Sequence, residues 1–234
     1  MQTVNNKITL TVGDSLMSAY IAAPEGAGTY PAIILLQEAF GVTSHIRGVA
    51  NRIAAEGYVI IAPELFHRTA PGIEFDQNNL QAVMQHVTAM KLEEQQADLH
   101  ACYNWLLLQD NVIKEKIGSI GYCMGGRVSF IANYTLPLSA CVSYYGSGIQ
   151  NMIFKMQNLH APHLFFWGGL DKHILPEHVA AVTEGMKQAG KPFVNVVLSY
   201  ADHAFNNDQR ANYNADASKE AWALSLAFLK NKLK

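Results

Sequence analysis

The segment Gly118-Ser119-Ile120-Gly121-Tyr122-Cys123-Met124-Gly125-Gly126 joins an apolar strand over 117–120 to a helix-compatible run over 127–133. Between them lies Gly-x-Cys-x-Gly. A strand that turns abruptly into a helix around such a pattern forms a nucleophile elbow, which lifts the central side chain clear of the backbone. The glycines two before and two after Cys123 suit a turn too tight for a Cβ atom. Serine usually stands at the centre of this pattern; here it is cysteine. The pattern alone is short, so the segments around it must support it.

Upstream, 32–36 is a continuous apolar run, as expected of a strand buried on both faces of a mostly parallel sheet. It breaks into Gln37-Glu38-Ala39-Phe40-Gly41. Thr43 or Ser44 can cap a helix running to Glu56, with Gly57 as its stop. Residues 58–62 form a further buried strand. Nearer the start, 7–12 and 16–22 read as a hairpin turning at Gly13-Asp14. Residues 63–79 are irregular, and a connection that long usually lies over a site. Helices follow over 80–90 and 93–108, and in the second Ala97, Ala101, Trp105 and Leu108 form a stripe that reads as core packing.

Downstream of the elbow, strands are expected over 140–144, 163–167 and 193–198, a loop over 146–160, and helices over 177–188 and 211–229. No repeat or linker interrupts residues 1–234, so a single domain is expected. Alternating strands and helices behind an antiparallel hairpin predict an α/β fold with a largely parallel central sheet and helices on both faces.

Ligands of such sheets bind beyond the carboxyl ends of the strands. Glu38, Cys123, Asp171 and His203 all fall there. Nucleophile, then acid, then histidine is the chain order of the α/β-hydrolase fold. An ordinary cysteine thiol, with a pKa of about 8.5, is only a few per cent thiolate at neutral pH and must be activated. A helix N-terminus and a nearby imidazole both favour the anion. His203 would then move the proton, and Asp171 would orient the imidazole and stabilise its charged form. Backbone N–H groups of Met124 and Ala39 would form the oxyanion hole. Asp202 is a weaker candidate for the acid, because sequence neighbours rarely orient each other's side chains. Cys102 and Cys141 read as buried small hydrophobes.

These residues resemble the dienelactone hydrolase (carboxymethylenebutenolidase) family. The resemblance rests on Leu36-Gln37-Glu38-Ala39-Phe40-Gly41, Gly121-Tyr122-Cys123-Met124-Gly125-Gly126, Tyr144-Tyr145-Gly146, Gly168-Gly169-Leu170-Asp171 and His203-Ala204-Phe205. It implies a Cys-His-Asp triad that needs no metal or cofactor. It also implies that Glu38 contacts the resting thiol and helps form the thiolate. The family's dienelactone-opening members hold the substrate carboxylate with two arginines, one of them four residues after the histidine. That position is Asn207 here, and 76–90 contains no basic residue apart from His86. Arg68 and Arg210 are the available substitutes. Asn does not replace a bidentate arginine, so no preference for dienelactone over its methyl ester is expected. Phe40, Tyr145 and Phe205 are further substrate-contact candidates.

Composition narrows the alternatives. The chain has 234 residues, half of them hydrophobic, and a net charge of −2. That size can bury a large core, and the mixed charge gives no footprint for nucleic acid. No run of about 18 uncharged apolar residues suggests a membrane span. The first residues lack the build of a signal peptide. Three scattered cysteines suggest no disulfide framework and fit a reducing cytoplasm. The expectation is a cytoplasmic, monomeric cysteine hydrolase of small esters or lactones acting through a thioester. A carboxylesterase or thioesterase with an apolar pocket, and a non-catalytic or thiol-redox protein on the same fold, are the alternatives.

Overall fold

The structure is a computed structural model that describes residues 1–77 and 79–234. Among the described residues fifteen regular segments follow one another. Strand β1 (Thr3–Val12) turns into β2 (Ser15–Pro24), then β3 (Tyr30–Leu36), α1 (Ser44–Ala55) and β4 (Val59–Pro63) follow. After an irregular connection come α2 (Leu80–Ala89), α3 (Leu92–Leu107), β5 (Val112–Tyr122), α4 (Met124–Thr135) and β6 (Ala140–Tyr144). The rest is a 3₁₀ segment (Ile149–Asn158), β7 (His163–Gly168), α5 (Pro176–Gln188), β8 (Phe193–Leu198) and α6 (Ala215–Leu233).

The strands form one sheet in the order β1-β2-β4-β3-β5-β6-β7-β8. Pairing is antiparallel from β1 to β2 and from β2 to β4, and parallel everywhere else. This is the α/β-hydrolase architecture, with its hairpin at one edge. β3 explains why its sequence shows no alternation: Ile33 and Leu35 pack with residues of α1 and α6, while Ile34 and Leu36 pack with residues of α3 and α4. Both faces are covered, so every position is apolar. Among the described residues no helix is long and apolar enough to cross a membrane.

Two sequence expectations need correction. Residues 146–160 are not a plain loop, since Ile149–Asn158 winds as 3₁₀ turns that bury Ile149 and Met156. The stripe on α3 is also displaced. Leu108 is 79% exposed and Ala97 is exposed, while Ala101 and Trp105 are only partly buried. The buried face carries Gln95, Asp98, Leu99, Cys102 and Leu106. Asp98 can lie there because Arg68 donates two hydrogen bonds to its carboxylate, at 3.0 and 2.9 Å, and the His67 ring contacts it at 3.0 Å. A charge satisfied from a neighbouring loop can occupy the core face, and it conceals the apolar period.

Candidate active site

Five strands end at one place. β3 leads to Glu38, β5 to Cys123, β6 to Tyr145, β7 to Asp171 and β8 to His203. The parallel register sets these ends side by side, although the residues lie far apart in sequence.

Cys123 is the turn between β5 and α4, with φ 53° and ψ −117°. Its N–H donates to the Tyr144 carbonyl at 3.0 Å, and its own carbonyl accepts from the N–H groups of Gly126 and Arg127. The flanking glycines are needed for space. A Cβ on Gly121 would stand 1.8 Å from the Gly125 carbonyl oxygen, and one on Gly125 would stand 2.2 Å from that of Leu36. Tyr145 and Ala204 also have positive φ, at 38° and 60°, and with Cys123 they are the non-glycine residues in that region among those described. Such conformations cost about 1–3 kcal/mol each and persist where the surroundings enforce them. Here all three lie around one centre.

The His203 ring connects two of the strand-end groups. Its Nδ1 lies 2.7 Å from Asp171 Oδ2, and its Nε2 lies 3.2 Å from Cys123 Sγ. Asp171 is 6% exposed and accepts the backbone N–H groups of His173 and Ile174 through Oδ1. Burial opposes its charge, but the bond and charge of His203 and these N–H groups outweigh it, so its carboxyl sits below the ordinary carboxylate range. For His203, burial favours the neutral ring. The opposing effects of a Cys123 thiolate and of Asp171 prevail and raise its pKa to about 10. This geometry is compatible with a thiolate–imidazolium pair.

Glu38 is 2% exposed. Its carboxylate accepts from Tyr145 Oη at 3.5 Å and from Asn207 Nδ2. Asn207 Nδ2 also donates to Gln77 Oε1 at 2.7 Å. The contact between Glu38 and the resting thiol implied by the family resemblance is therefore replaced: Glu38 faces Asn207 and Tyr145, and Cys123 faces His203. Asn207, the position at which the resemblance implies an arginine, is thus a partner of Glu38.

These groups open onto a cavity of about 290 Å³. Ala39, Phe40, Met124 and Arg210 line it, as do Cys123, His203 and Glu38. Met124 is the first residue of α4, so its N–H has no carbonyl one turn earlier to bind. Tyr145 and Phe205 are fully buried and do not line the cavity; their rings meet at 5.1 Å, and Tyr145 lies 5.1 Å from the His203 ring. Arg68 needs correction as a substrate contact, because its guanidinium is bound to Asp98 of α3 and does not line this cavity. Ser119 and Ser129 are buried and hydrogen-bonded to each other at 2.8 Å, away from the cavity.

The sequence reading missed several lining residues. Leu80, Met84 and Val87 form one face of α2 over the cavity. Their i, i+4, i+7 spacing after the long irregular connection was the available signal. It also missed Arg127, a charged residue in the first turn behind the nucleophile, and His173. Among the described residues no group of three or more His, Cys, Asp or Glu side chains could hold a metal ion.

Comparisons with known proteins identify the family. The model of the dienelactone hydrolase family matches residues 17–233. A Synechocystis protein provisionally named carboxymethylenebutenolidase is 36% identical over 220 residues, covering 88% of each chain. A carboxymethylenebutenolidase of Pseudomonas sp. is 29% identical over 93% of this chain and 91% of its own. A crystal structure from Klebsiella pneumoniae, provisionally named a dienelactone hydrolase, superposes with a TM-score of 0.90 at 30% identity, covering 98% of this chain and 99% of that one. The chain belongs to the dienelactone hydrolase family and is a hydrolase of ester or lactone bonds.

Proposed function

We propose that the chain cleaves small carboxylic esters or lactones by covalent catalysis at Cys123. The observation that carries this reading is the continuous line Asp171–His203–Cys123, with contacts of 2.7 and 3.2 Å at the end of the elbow. The Cys123 thiolate attacks the substrate carbonyl carbon, and the oxygen takes the charge. The N–H groups of Met124 and Ala39 receive that oxyanion; in other hydrolases each such donor supplies about 2.7–4 kcal/mol. Collapse breaks the C–O bond, and the leaving alkoxide takes the proton from His203 Nε2. A thioester on Cys123 and a neutral imidazole remain.

Neutral His203 then removes a proton from water, and the resulting hydroxide attacks the thioester. Collapse expels the thiolate beside a protonated His203, which restores the starting pair and releases the acid. Asp171 holds the ring in place and stabilises its charged form through both half-reactions. Glu38 acts as a positioning residue. Held by Tyr145 and Asn207, it fixes the turn that presents the Ala39 N–H.

A second reading concerns the substrate rather than the chemistry. Phe40, Leu80, Met84, Val87 and Met124 line the cavity, and these apolar walls favour an esterase or thioesterase with a hydrophobic acyl group. A thiol-redox role lacks a resolving partner, because Cys102 and Cys141 are buried away from the site.

The mechanism is tested by quenching turnover of a short activated ester with acid and mapping the adduct by mass spectrometry. The acyl mass is expected on the peptide containing Cys123. An adduct on Ser119 or Ser129 would overturn the mechanism.

A further inference from the structure

The contacts around His203 have a counterpart elsewhere in the chain. Ser15 is the first residue of β2, directly after the Gly13-Asp14 turn. Its Oγ lies 2.9 Å from His67 Nδ1, and His67 Nε2 lies 3.0 Å from Asp98 Oδ1. Three separate elements meet here: the hairpin supplies the hydroxyl, the connection after β4 the imidazole, and α3 the carboxylate. Arg68 donates to both Asp98 oxygens, at 3.0 and 2.9 Å, and so fixes the carboxylate plane. His67 and Asp98 are 5% and 1% exposed, while Ser15 is half-buried.

The chemistry of these atoms sets the direction of each bond. A carboxylate only accepts, so His67 Nε2 carries the hydrogen, and in its neutral form the ring presents Nδ1 to Ser15 as an acceptor. The hydroxyl then donates to a ring whose opposite nitrogen is held by a buried carboxylate. This is the logic of a serine triad with the two ring nitrogens exchanged. Ser15 also borders a groove of about 440 Å³, together with Gly13, Asp14, Arg68, Glu93 and Glu94. None of the residues lining that groove borders the Cys123 cavity. The groove carries three carboxylates and one arginine, and that arginine is already bound to Asp98. Its field is therefore negative and disfavours anions.

We infer that Ser15 is a second nucleophile, which takes up the acyl group of a neutral activated ester at this groove. Ser15 Oγ attacks the carbonyl carbon as its proton passes to His67 Nδ1. The ester C–O bond breaks, and the leaving oxygen takes that proton from His67. An O-acyl Ser15, a neutral imidazole and the free alcohol or phenol remain. Asp98 stabilises the positive ring while it lasts. The site is independent of Cys123 and stands or falls separately from the mechanism proposed there.

The test uses the full-length Cys123→Ala protein, so that no acyl group arrives through the thiol. It is treated with 4-nitrophenyl acetate, quenched with acid at intervals and mapped by mass spectrometry. Ser15 should gain an acetyl group at least about 100-fold faster than Ser199, an exposed serine on the same chain, because a positioned base contributes that much or more. 4-Nitrophenyl hemiglutarate, which carries a carboxylate, should acylate Ser15 about threefold or more slower than the neutral ester after correction for intrinsic reactivity. Adding His67→Gln should bring the Ser15 rate down towards that of Ser199. The same comparison in urea-unfolded protein, where the base is no longer held, should show the same loss without any further substitution. Acetylation of Ser15 no faster than that of Ser199 in the folded protein would overturn the inference. So would a Ser15 rate that survives unfolding, or one that survives His67→Gln in a protein folded by circular dichroism. Equal acylation by the neutral and anionic esters would overturn the substrate class.

Discussion

At Cys123 the chemistry depends on where one proton resides. Burial opposes a charge on His203, but the adjacent sulfur and Asp171 raise its pKa to about 10, so the imidazolium should persist across the neutral range. Activity should therefore fall on the alkaline side with an apparent pKa near 10. Asp171→Asn removes one support of the imidazolium, so it should move that alkaline limb to lower pH and reduce kcat by two to four orders of magnitude. A pH–rate profile of both proteins checks this, and coincident limbs would remove Asp171 from the account. Asn207 matters differently. It donates to a carboxylate that is 2% exposed, and Asn207→Leu leaves that oxygen without its donor. The expected loss is about 2–3 kcal/mol in denaturant unfolding.

The elbow is the element on which the site depends. Gly121→Ala would place a Cβ 1.8 Å from the Gly125 carbonyl oxygen, and both are backbone, so neither can move aside cheaply. A destabilisation of about 3 kcal/mol or more, with loss of esterase activity, is expected; an Ala variant with wild-type stability would contradict the packing described. Arg68→Ala is the contrasting case. It breaks a bidentate pair with buried Asp98 at α3, and should cost about 1–3 kcal/mol by thermal unfolding while ester kcat/KM stays within about twofold.

These two elements also mark what the sequence could reveal. The strand ends of Glu38, Cys123, Asp171 and His203 were legible because parallel topology brings them together whatever the intervening chain does. The contents of α3 were not, because Asp98 is buried only through Arg68 and His67 from a loop about 30 residues earlier. The role of Arg68 was misread for the same reason. Leu80, Met84 and Val87 repeat at helical spacing, but that their face meets the cavity is set by tertiary packing, which local periodicity does not encode.

For the molecule as a whole, the site couples stability to pH from both sides. The raised His203 contributes stability in full below its ordinary value of about 6.5, and that contribution is lost as pH rises through about 10. The lowered Asp171 contributes above its ordinary value and loses that contribution as pH falls through its folded value. Thermal unfolding should show a plateau between the ordinary values of about 3.8 and 6.5 that declines towards both extremes, the alkaline decline setting in above about 6.5. Replacing Cys123 with Ala removes the thiolate charge, so titration of the His203 ring followed by NMR should move to lower pH. Ionic strength should change these trends little, because the charges lie inside the cavity and are poorly screened.

The most direct measurement is the rate at which purified protein hydrolyses 4-nitrophenyl acetate, compared with its Cys123→Ala variant. The account predicts ready hydrolysis by the native chain and a loss of at least about 100-fold in the variant, with its fold intact by circular dichroism. A folded Cys123→Ala protein that retains the native rate would contradict the assignment of Cys123 as the nucleophile.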